Sequence, residues 1–98
     1  QCNRGCTVYG DFSSSSVLVK PALNSGHVDV IANAMARQVL TNDEGLATGI
    51  SYVDKTDLQE YEVHARIVVL AASACESARL LLNSKSAQFP NGLANSSG

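Results

Sequence analysis

Residues 67–82 constrain the fold of this chain more than any other segment. Residues 67–70 are four consecutive apolar residues, three of them β-branched, which predicts a strand buried on both faces, as in a parallel sheet. Small residues at 71–74 lead from this strand into a predicted helix that ends at Asn83 and Ser84. Small side chains let a ligand approach the backbone, and the first-turn amides of a helix attract anions. This junction therefore predicts a nucleotide-cofactor site of the α/β kind.

The start of the predicted helix carries a capping-box pattern. Ser73 can accept a hydrogen bond from the amide of Glu76, and the Glu76 side chain can reach back to the amide of Ser73. Glu76 also lies in the first turn, where a negative charge favours the helix dipole. The pattern supports the helix but does not require a ligand, because an ordinary strand–loop–helix unit would have the same residues.

Length and charge limit the classes of protein to consider. With 98 residues, the chain forms at most one compact domain. Its net charge is −2 and its Lys and Arg residues are scattered, so it has no basic stripe for nucleic acid. No apolar run reaches the roughly 18 residues of a membrane span, and no secretory signal is visible. Because the chain begins at Gln1 and ends in a polar tail, we expect it to be a fragment of a longer polypeptide.

The three cysteines do not form a disulfide framework. Cys2 and Cys6 are close enough in sequence to form a disulfide. A zinc site needs four ligands, and nothing brings these two together with His27, His64 or Cys75, so we predict no metal site. Cys75 lies in the first helical turn, which can lower the pKa of a thiol, but we interpret it as a small residue packing under the strand.

Ahead of the hairpin, a short helix is predicted. Its N-cap is Ser14 or Ser15, it ends near Asn24, and Ser25 with Gly26 forms the stop signal. A proline about two turns into this segment predicts that the helix is short or kinked.

The predicted elements between the two helices are a short strand, an antiparallel hairpin and a third antiparallel strand. The short strand covers residues 28–32. The hairpin pairs residues 35–41 with residues 47–53, and the third antiparallel strand covers residues 60–65. Gly45 in the hairpin turn is free to take a positive φ. Glu60, Glu62 and His64 alternate with apolar residues, so we interpret them as an exposed face and His64 as a solvated histidine. No Ser–His–Asp or paired-carboxylate arrangement follows from the spacing.

The predicted fold class is therefore α/β, in the form of an α+β fragment. Its order is helix, strand, three-stranded antiparallel meander, buried parallel strand and helix. Three segments, residues 28–39, 45–53 and 65–82, resemble the GMC (glucose–methanol–choline) flavoprotein oxidoreductases. The last of them is similar to the family pattern A-x-x-V-I-L-A-A-G-A-x-x-S-P-x-L-L-x-x-S-G. Together the segments cover about residues 13–86 with the spacing of the family.

The resemblance implies that residues 1–98 are a partial FAD/NAD(P)-binding domain with FAD as the cofactor. It implies that the backbone of Ala36 contacts the adenine, and that Ala72, Ser73 and Ala74 lie near the nucleotide part of FAD. The complete enzyme would act on the CH–OH group of a small-molecule alcohol or sugar by hydride transfer to FAD. The family's G-x-G-x-x-G segment and its catalytic histidine have no counterpart in this chain, so we expect the chain alone to be inactive.

The chain departs from the family pattern at two positions in the third segment. Ser73 stands where the family usually has Gly, and Ala78 replaces the usual Pro after Ser77. Residues 83–86 also lack the usual Ser-Gly, which indicates a divergent subgroup. Two alternatives remain open from the sequence. One is another flavoprotein with two dinucleotide domains, and the other is a non-enzymatic α+β module without a cofactor.

Overall fold

The computed structural model describes residues 12–95 of the chain. The chain divides into two compact units, Gln1–Ala32 and Asn33–Gly98. Cys2 and Cys6, with the interpretations attached to them, lie outside the described residues. The helices and strands of the described residues are, in chain order, a π-helical turn Ser14–Leu18, α1 Val19–Asn24, β1 Ala34–Thr41, β2 Ala47–Asp54, β3 Glu60–His64 and α2 Ala74–Asn83.

The described part of the first unit contains the predicted short helix. A π-helical turn leads directly into α1, which ends at Asn24. The N-cap is Ser13, whose Oγ accepts a hydrogen bond from the amide of Ser16 at 3.3 Å. Gly26 follows the helix with a φ of 76°, as expected for a stop residue. The helix is confirmed, but its cap lies before Ser14 and not at Ser14 or Ser15, because the π-helical turn begins earlier.

The second unit contains the predicted antiparallel meander, in the spatial order β1–β2–β3. Each observed strand lies within one residue of its predicted bounds. Asn42 closes the hairpin turn, because its Oδ1 accepts from the amides of Glu44 and Leu46, and Gly45 adopts a φ of 81°. The mixed α+β class expected from the sequence is confirmed. The third strand, however, is exposed on both sides and not on one side only.

A β-bulge interrupts the pairing of β1 with β2. Ala36 pairs with Tyr52 and Gln38 pairs with Ser51, so Arg37 is an extra residue on β1. Such a bulge leaves the ladder locally disrupted and bends the strand. The bulge lies between two points at which β1 is bonded from the helix side, the Ala36 carbonyl to Arg79 and the Val39 amide to Ser84.

The small apolar core lies between β1 and α2. Val39 of β1 is 5% exposed and Leu80 of α2 is 2% exposed. The Ser84 side chain, directly after α2, is buried with them. Burial of this pair therefore fixes one face of α2 against the first strand of the sheet.

Two predicted strands are wrong. Residues 28–32 and 67–70 form no strand in the structure, and Ile67 and Val69 are each 79% exposed. A strand needs a neighbour for its backbone hydrogen bonds, and neither segment pairs with another strand within residues 12–95. The predicted burial of this run is wrong as well, because none of residues 67–70 is buried within the described part of the chain.

The predicted capping box at α2 is also wrong. Ser73 is the N-cap of α2, but its side chain makes no capping hydrogen bond. Its backbone has φ 77° and ψ 168°, a conformation outside the β region in which an N-cap side chain normally reaches the first-turn amides. Glu76 pairs instead with Arg79. Cys75 is exposed, which corrects its interpretation as a packed residue, because no strand at 67–70 covers the start of the helix.

Residues 12–95 contain neither a candidate membrane-spanning helix nor a candidate metal cluster. None of the helices there is both long and apolar enough to cross a bilayer. The same residues contain no group of three or more His, Cys, Asp or Glu side chains arranged to hold a metal ion.

Candidate functional site

A cleft of about 270 Å³ lies where β1 meets the beginning of α2. Its walls come from β1, from α2, and from residues that follow β2 or precede α2. The lining residues are Ala34, Met35, Ala36, Lys55, Ala72, Glu76, Arg79 and Leu80. Three of them are alanines, so backbone forms much of the wall and a flat ligand can approach it closely.

The cleft contains two of the four residues that the sequence assigned to the cofactor. Ala36 and Ala72, far apart along the chain, line the same cavity. Ser73 and Ala74 adjoin Ala72 but are not among the lining residues. The amide of Ala72 donates a hydrogen bond to Ser77 Oγ at 3.2 Å, which ties the segment before α2 to the first turns of the helix.

Arg79 joins the two walls of the cleft. Its Nη2 donates to the carbonyl oxygen of Ala36 at 2.9 Å, and its Nε donates to Glu76 Oε2 at 2.8 Å. The Arg79 side chain is 34% exposed, so this ion pair is partly shielded from water. The sequence did not indicate this role, because the partner of Arg79 is a backbone atom on another element.

A second connection between α2 and β1 lies beyond the bulge. Ser84 Oγ accepts from the amide of Val39 at 2.8 Å and donates to the carbonyl of Leu80 at 2.5 Å. Gln38 Nε2 also donates to the carbonyl of Lys85 at 3.3 Å. The bulged strand is therefore held by α2 on one side of Arg37 and by the residues after α2 on the other.

The charges in the cleft favour an anionic ligand. Lys55 and Arg79 are cationic, whereas Glu76 is the single carboxylate among the lining residues. The lining residues include no histidine and no cysteine. The chemistry that these side chains offer a ligand is recognition by charge and by hydrogen bonding.

A separate polar cluster lies across the sheet and shows no sign of acid–base chemistry. Glu60 Oε1 accepts from Ser51 Oγ at 2.5 Å and from Arg37 Nη1 at 2.7 Å. These bonds, with that from Ser51 the larger, hold the pKa of Glu60 below its usual range. A carboxylate that is more firmly ionised than usual is a poor proton donor or acceptor at neutral pH.

Two further groups of the sheet are shifted away from neutral pH. Hydrogen bonds from Thr56 lower the pKa of Asp54, and the hydrogen bond from Tyr61 to Asp57 raises the pKa of the tyrosine. The His64 side chain is exposed beside Glu62, as the alternation in β3 predicted. None of these groups lines the cleft between β1 and α2, which contains Ala36 and Ala72, two of the residues predicted to contact the cofactor.

A small cleft with alanine and charged side chains in its walls therefore lies between β1 and α2 of this α+β unit. The chain belongs to the GMC oxidoreductase family, whose model matches residues 1–91. A similar protein is the 2-methyl-1,2-propanediol dehydrogenase of Mycolicibacterium austroafricanum, 41% identical over 70 residues. The aligned segment is 71% of this chain but 12% of that dehydrogenase. The resemblance drawn from the three sequence segments is confirmed, and FAD binding is a property of this family of oxidoreductases.

Proposed function

We propose that residues 1–98 are part of the FAD-binding domain of a GMC flavoenzyme. This enzyme oxidises the CH–OH group of an alcohol or sugar by hydride transfer to FAD. The observation that supports the proposal is that Ala36 and Ala72, assigned to the nucleotide part of FAD from the family pattern, line one cleft. Family membership favours this function over a different class of flavoprotein and over a module without a cofactor.

The residues of the cleft fit one portion of FAD. A volume of about 270 Å³ is slightly below the roughly 300–1,000 Å³ of complete small-molecule sites, so the cleft suits one end of a dinucleotide. Alanine walls allow close approach of a flat ring, and the charge of Lys55 suits a ligand that carries phosphates. In this proposal Ala36 and Ala72 would contact the nucleotide end, and Ser73 and Ala74, which adjoin the cleft without lining it, would lie beside it.

In this proposal, residues 1–98 bind the nucleotide end of FAD and orient it. The backbone of Ala36 would contact the adenine, and the small residues before α2 would let the nucleotide approach the start of the helix. Arg79 holds the two walls together through its bond to the Ala36 carbonyl. FAD, when bound, supplies the hydride acceptor. The base that takes the hydroxyl proton lies in another part of the enzyme, so residues 1–98 alone are expected to be inactive.

The substrate class follows from the family and from the name of the relative. That name describes dehydrogenation of 2-methyl-1,2-propanediol, a small alcohol with two hydroxyl groups. We infer a small alcohol or a sugar as the electron donor here. The donor carbon must carry both a hydroxyl group and a hydrogen, because the reaction removes a hydride from carbon and a proton from oxygen.

The first test reads the open reading frame on both sides of the segment that encodes these residues. We expect a strand followed by G-x-G-x-x-G upstream, and a histidine-containing pair of strand–loop segments downstream. Start and stop codons at the edges of residues 1–98 would contradict the proposal.

The second test uses the full-length product of that frame. It is mixed anaerobically with a panel of alcohols and sugars, and the oxidation state of the flavin is followed by absorbance. Reduction of the flavin by at least one donor is the expected result. A flavin that stays oxidised with every donor, yet is reduced by dithionite, would contradict the assigned reaction.

A further inference from the structure

We propose that Arg79 is a positioning residue for the nucleotide end of FAD and acts through the backbone of Ala36. This inference rests on the proposed function. It assigns a role to a side chain that no motif in the sequence singled out.

The first step of the argument is that the backbone at Ala36 needs support. Within the described sheet β1 is an edge strand, and the bulge at Arg37 disrupts its pairing directly after Ala36. A disrupted edge strand has fewer hydrogen bonds to fix its position than a central strand has. A ligand that contacts backbone atoms needs those atoms held in place before it binds, because ordering them on binding lowers the affinity.

The second step is that Arg79 provides this support from the opposite wall. The bond from Nη2 to the Ala36 carbonyl crosses from α2 to β1 beside the cleft. The bond from Nε to Glu76 fixes the guanidinium, so its planar group is already oriented for the strand. A lysine at this position has one nitrogen and cannot reproduce the two bonds with the same geometry.

The third step is that the other connection between α2 and β1 does not replace this one. Ser84 holds the amide of Val39, on the far side of the bulge, and neither residue lines the cleft. Arg37 itself bonds Glu60 of β3 and likewise does not line the cleft. Arg79 is therefore the side chain that both lines the cavity and binds the backbone of its opposite wall.

The experiment compares FAD binding in the full-length protein and its variants. The apoprotein is titrated with FAD, and Kd is taken from the quenching of flavin fluorescence. For Arg79→Met we expect Kd to rise about tenfold, which corresponds to loss of one charge-assisted hydrogen bond.

Matched variants separate positioning from general stability. Arg37→Met removes the same type of side chain from the bulge itself, and its Kd for FAD should stay within about twofold. Arg79→Lys should restore part of the lost affinity, since lysine can still donate one hydrogen bond. Glu76→Gln keeps the helix but weakens the bond that fixes the Arg79 guanidinium, so we expect a smaller rise in the Kd for FAD. This variant serves as the test if Arg79→Met does not fold.

The results that would overturn the proposed function differ from those that would overturn the role of Arg79. A wild-type protein that binds no FAD would overturn the proposed function. Wild-type binding with an unchanged Kd in Arg79→Met, or in Glu76→Gln if that variant serves as the test, would overturn the role of Arg79 and leave the proposed function standing. An equal rise in Kd for Arg79→Met and Arg37→Met, in step with their thermal stability, would also overturn it.

Discussion

The hydroxyl of Ser84 pairs with the backbone amide of Val39, from the end of α2 to the middle of β1, at 2.8 Å. The same hydroxyl donates to the carbonyl of Leu80, so both of its hydrogen-bonding roles are used inside the small core. Ser84 is 2% exposed, and Val39 is buried beside it. The relationship matters because a single small side chain satisfies an edge-strand amide that water does not reach.

Replacing this serine should destabilise the protein. In Ser84→Ala the buried amide of Val39 loses its partner, which costs about 1–3 kcal/mol. The variant's urea midpoint, measured on the full-length protein, should fall accordingly. Asn83→Ala changes the exposed neighbour and should stay within about 0.5 kcal/mol of wild type. Equal midpoints for Ser84→Ala and wild type would show that the amide is satisfied in another way.

Replacing Ser73 by glycine should stabilise the protein. The backbone of Ser73 has φ 77° and ψ 168°, a region that residues other than glycine enter at a cost of about 1–3 kcal/mol. Ser73→Gly should therefore raise the free energy of unfolding by about 1 kcal/mol, after allowing for the entropy of glycine in the unfolded chain. The neighbouring variant Ala74→Gly lies inside α2 and should change stability in the opposite direction. A loss of stability in Ser73→Gly would mean that this side chain has a favourable contact.

The Glu60 cluster should contribute to the dependence of stability on pH. The pKa of Glu60 is lowered in the folded protein, so its contribution is present above its pKa in the unfolded chain and is lost as pH falls through the folded pKa. Glu60→Gln should flatten the decline in urea midpoint between about pH 5 and about pH 3. Glu44→Gln removes the same formal charge from the hairpin turn and serves as the reference. Identical profiles for the two variants would contradict a role for the bonds from Ser51 and Arg37.

The pairing of β2 with β3 should require glycine at position 49. A Cβ on Gly49 would overlap the carbonyl oxygen of Val63 on the neighbouring strand, where the backbone cannot yield easily. Gly49→Ala should cost about 1–3 kcal/mol, and hydrogen exchange should show faster opening of β3. Gly26→Ala is a useful contrast, because that site has open space and a φ of 76°, so its cost comes from backbone strain alone. Unchanged protection of β3 in Gly49→Ala would contradict the steric explanation.

The sequence predicted the meander well because its signals are local. Asn42 and Gly45 specify the turn, and alternation specifies the flanking strands, so the bounds came out within one residue. The run at 67–70 misled because apolar residues indicate burial without naming a partner, and no partner strand lies within residues 12–95.

The sequence pointed to two residues of the candidate site and did not point to two side chains that bond β1 from the helix side. Family resemblance pointed to Ala36 and Ala72, and the fold brings both into one cleft. Arg79 and Ser84 could not be found in this way, because they bind backbone atoms 43 and 45 residues away. Every residue has a backbone carbonyl and nearly every residue has an amide, so the amino-acid type of the partner residue does not reveal such a bond. At Ser73 the family's usual glycine has a structural reason that the sequence did not reveal, namely the positive φ.

The central claim is that the cleft between β1 and α2 holds the nucleotide end of FAD. The most direct test is the Kd for FAD of the full-length protein carrying Ala72→Leu, compared with wild type and with Ala71→Leu. Ala72 lines the cleft and Ala71 does not, so a leucine at 72 should fill the space that the nucleotide needs. We expect one FAD per wild-type polypeptide, nearly the same Kd for Ala71→Leu, and a Kd at least about tenfold higher for Ala72→Leu. Equal Kd values for Ala72→Leu and wild type would contradict the claim.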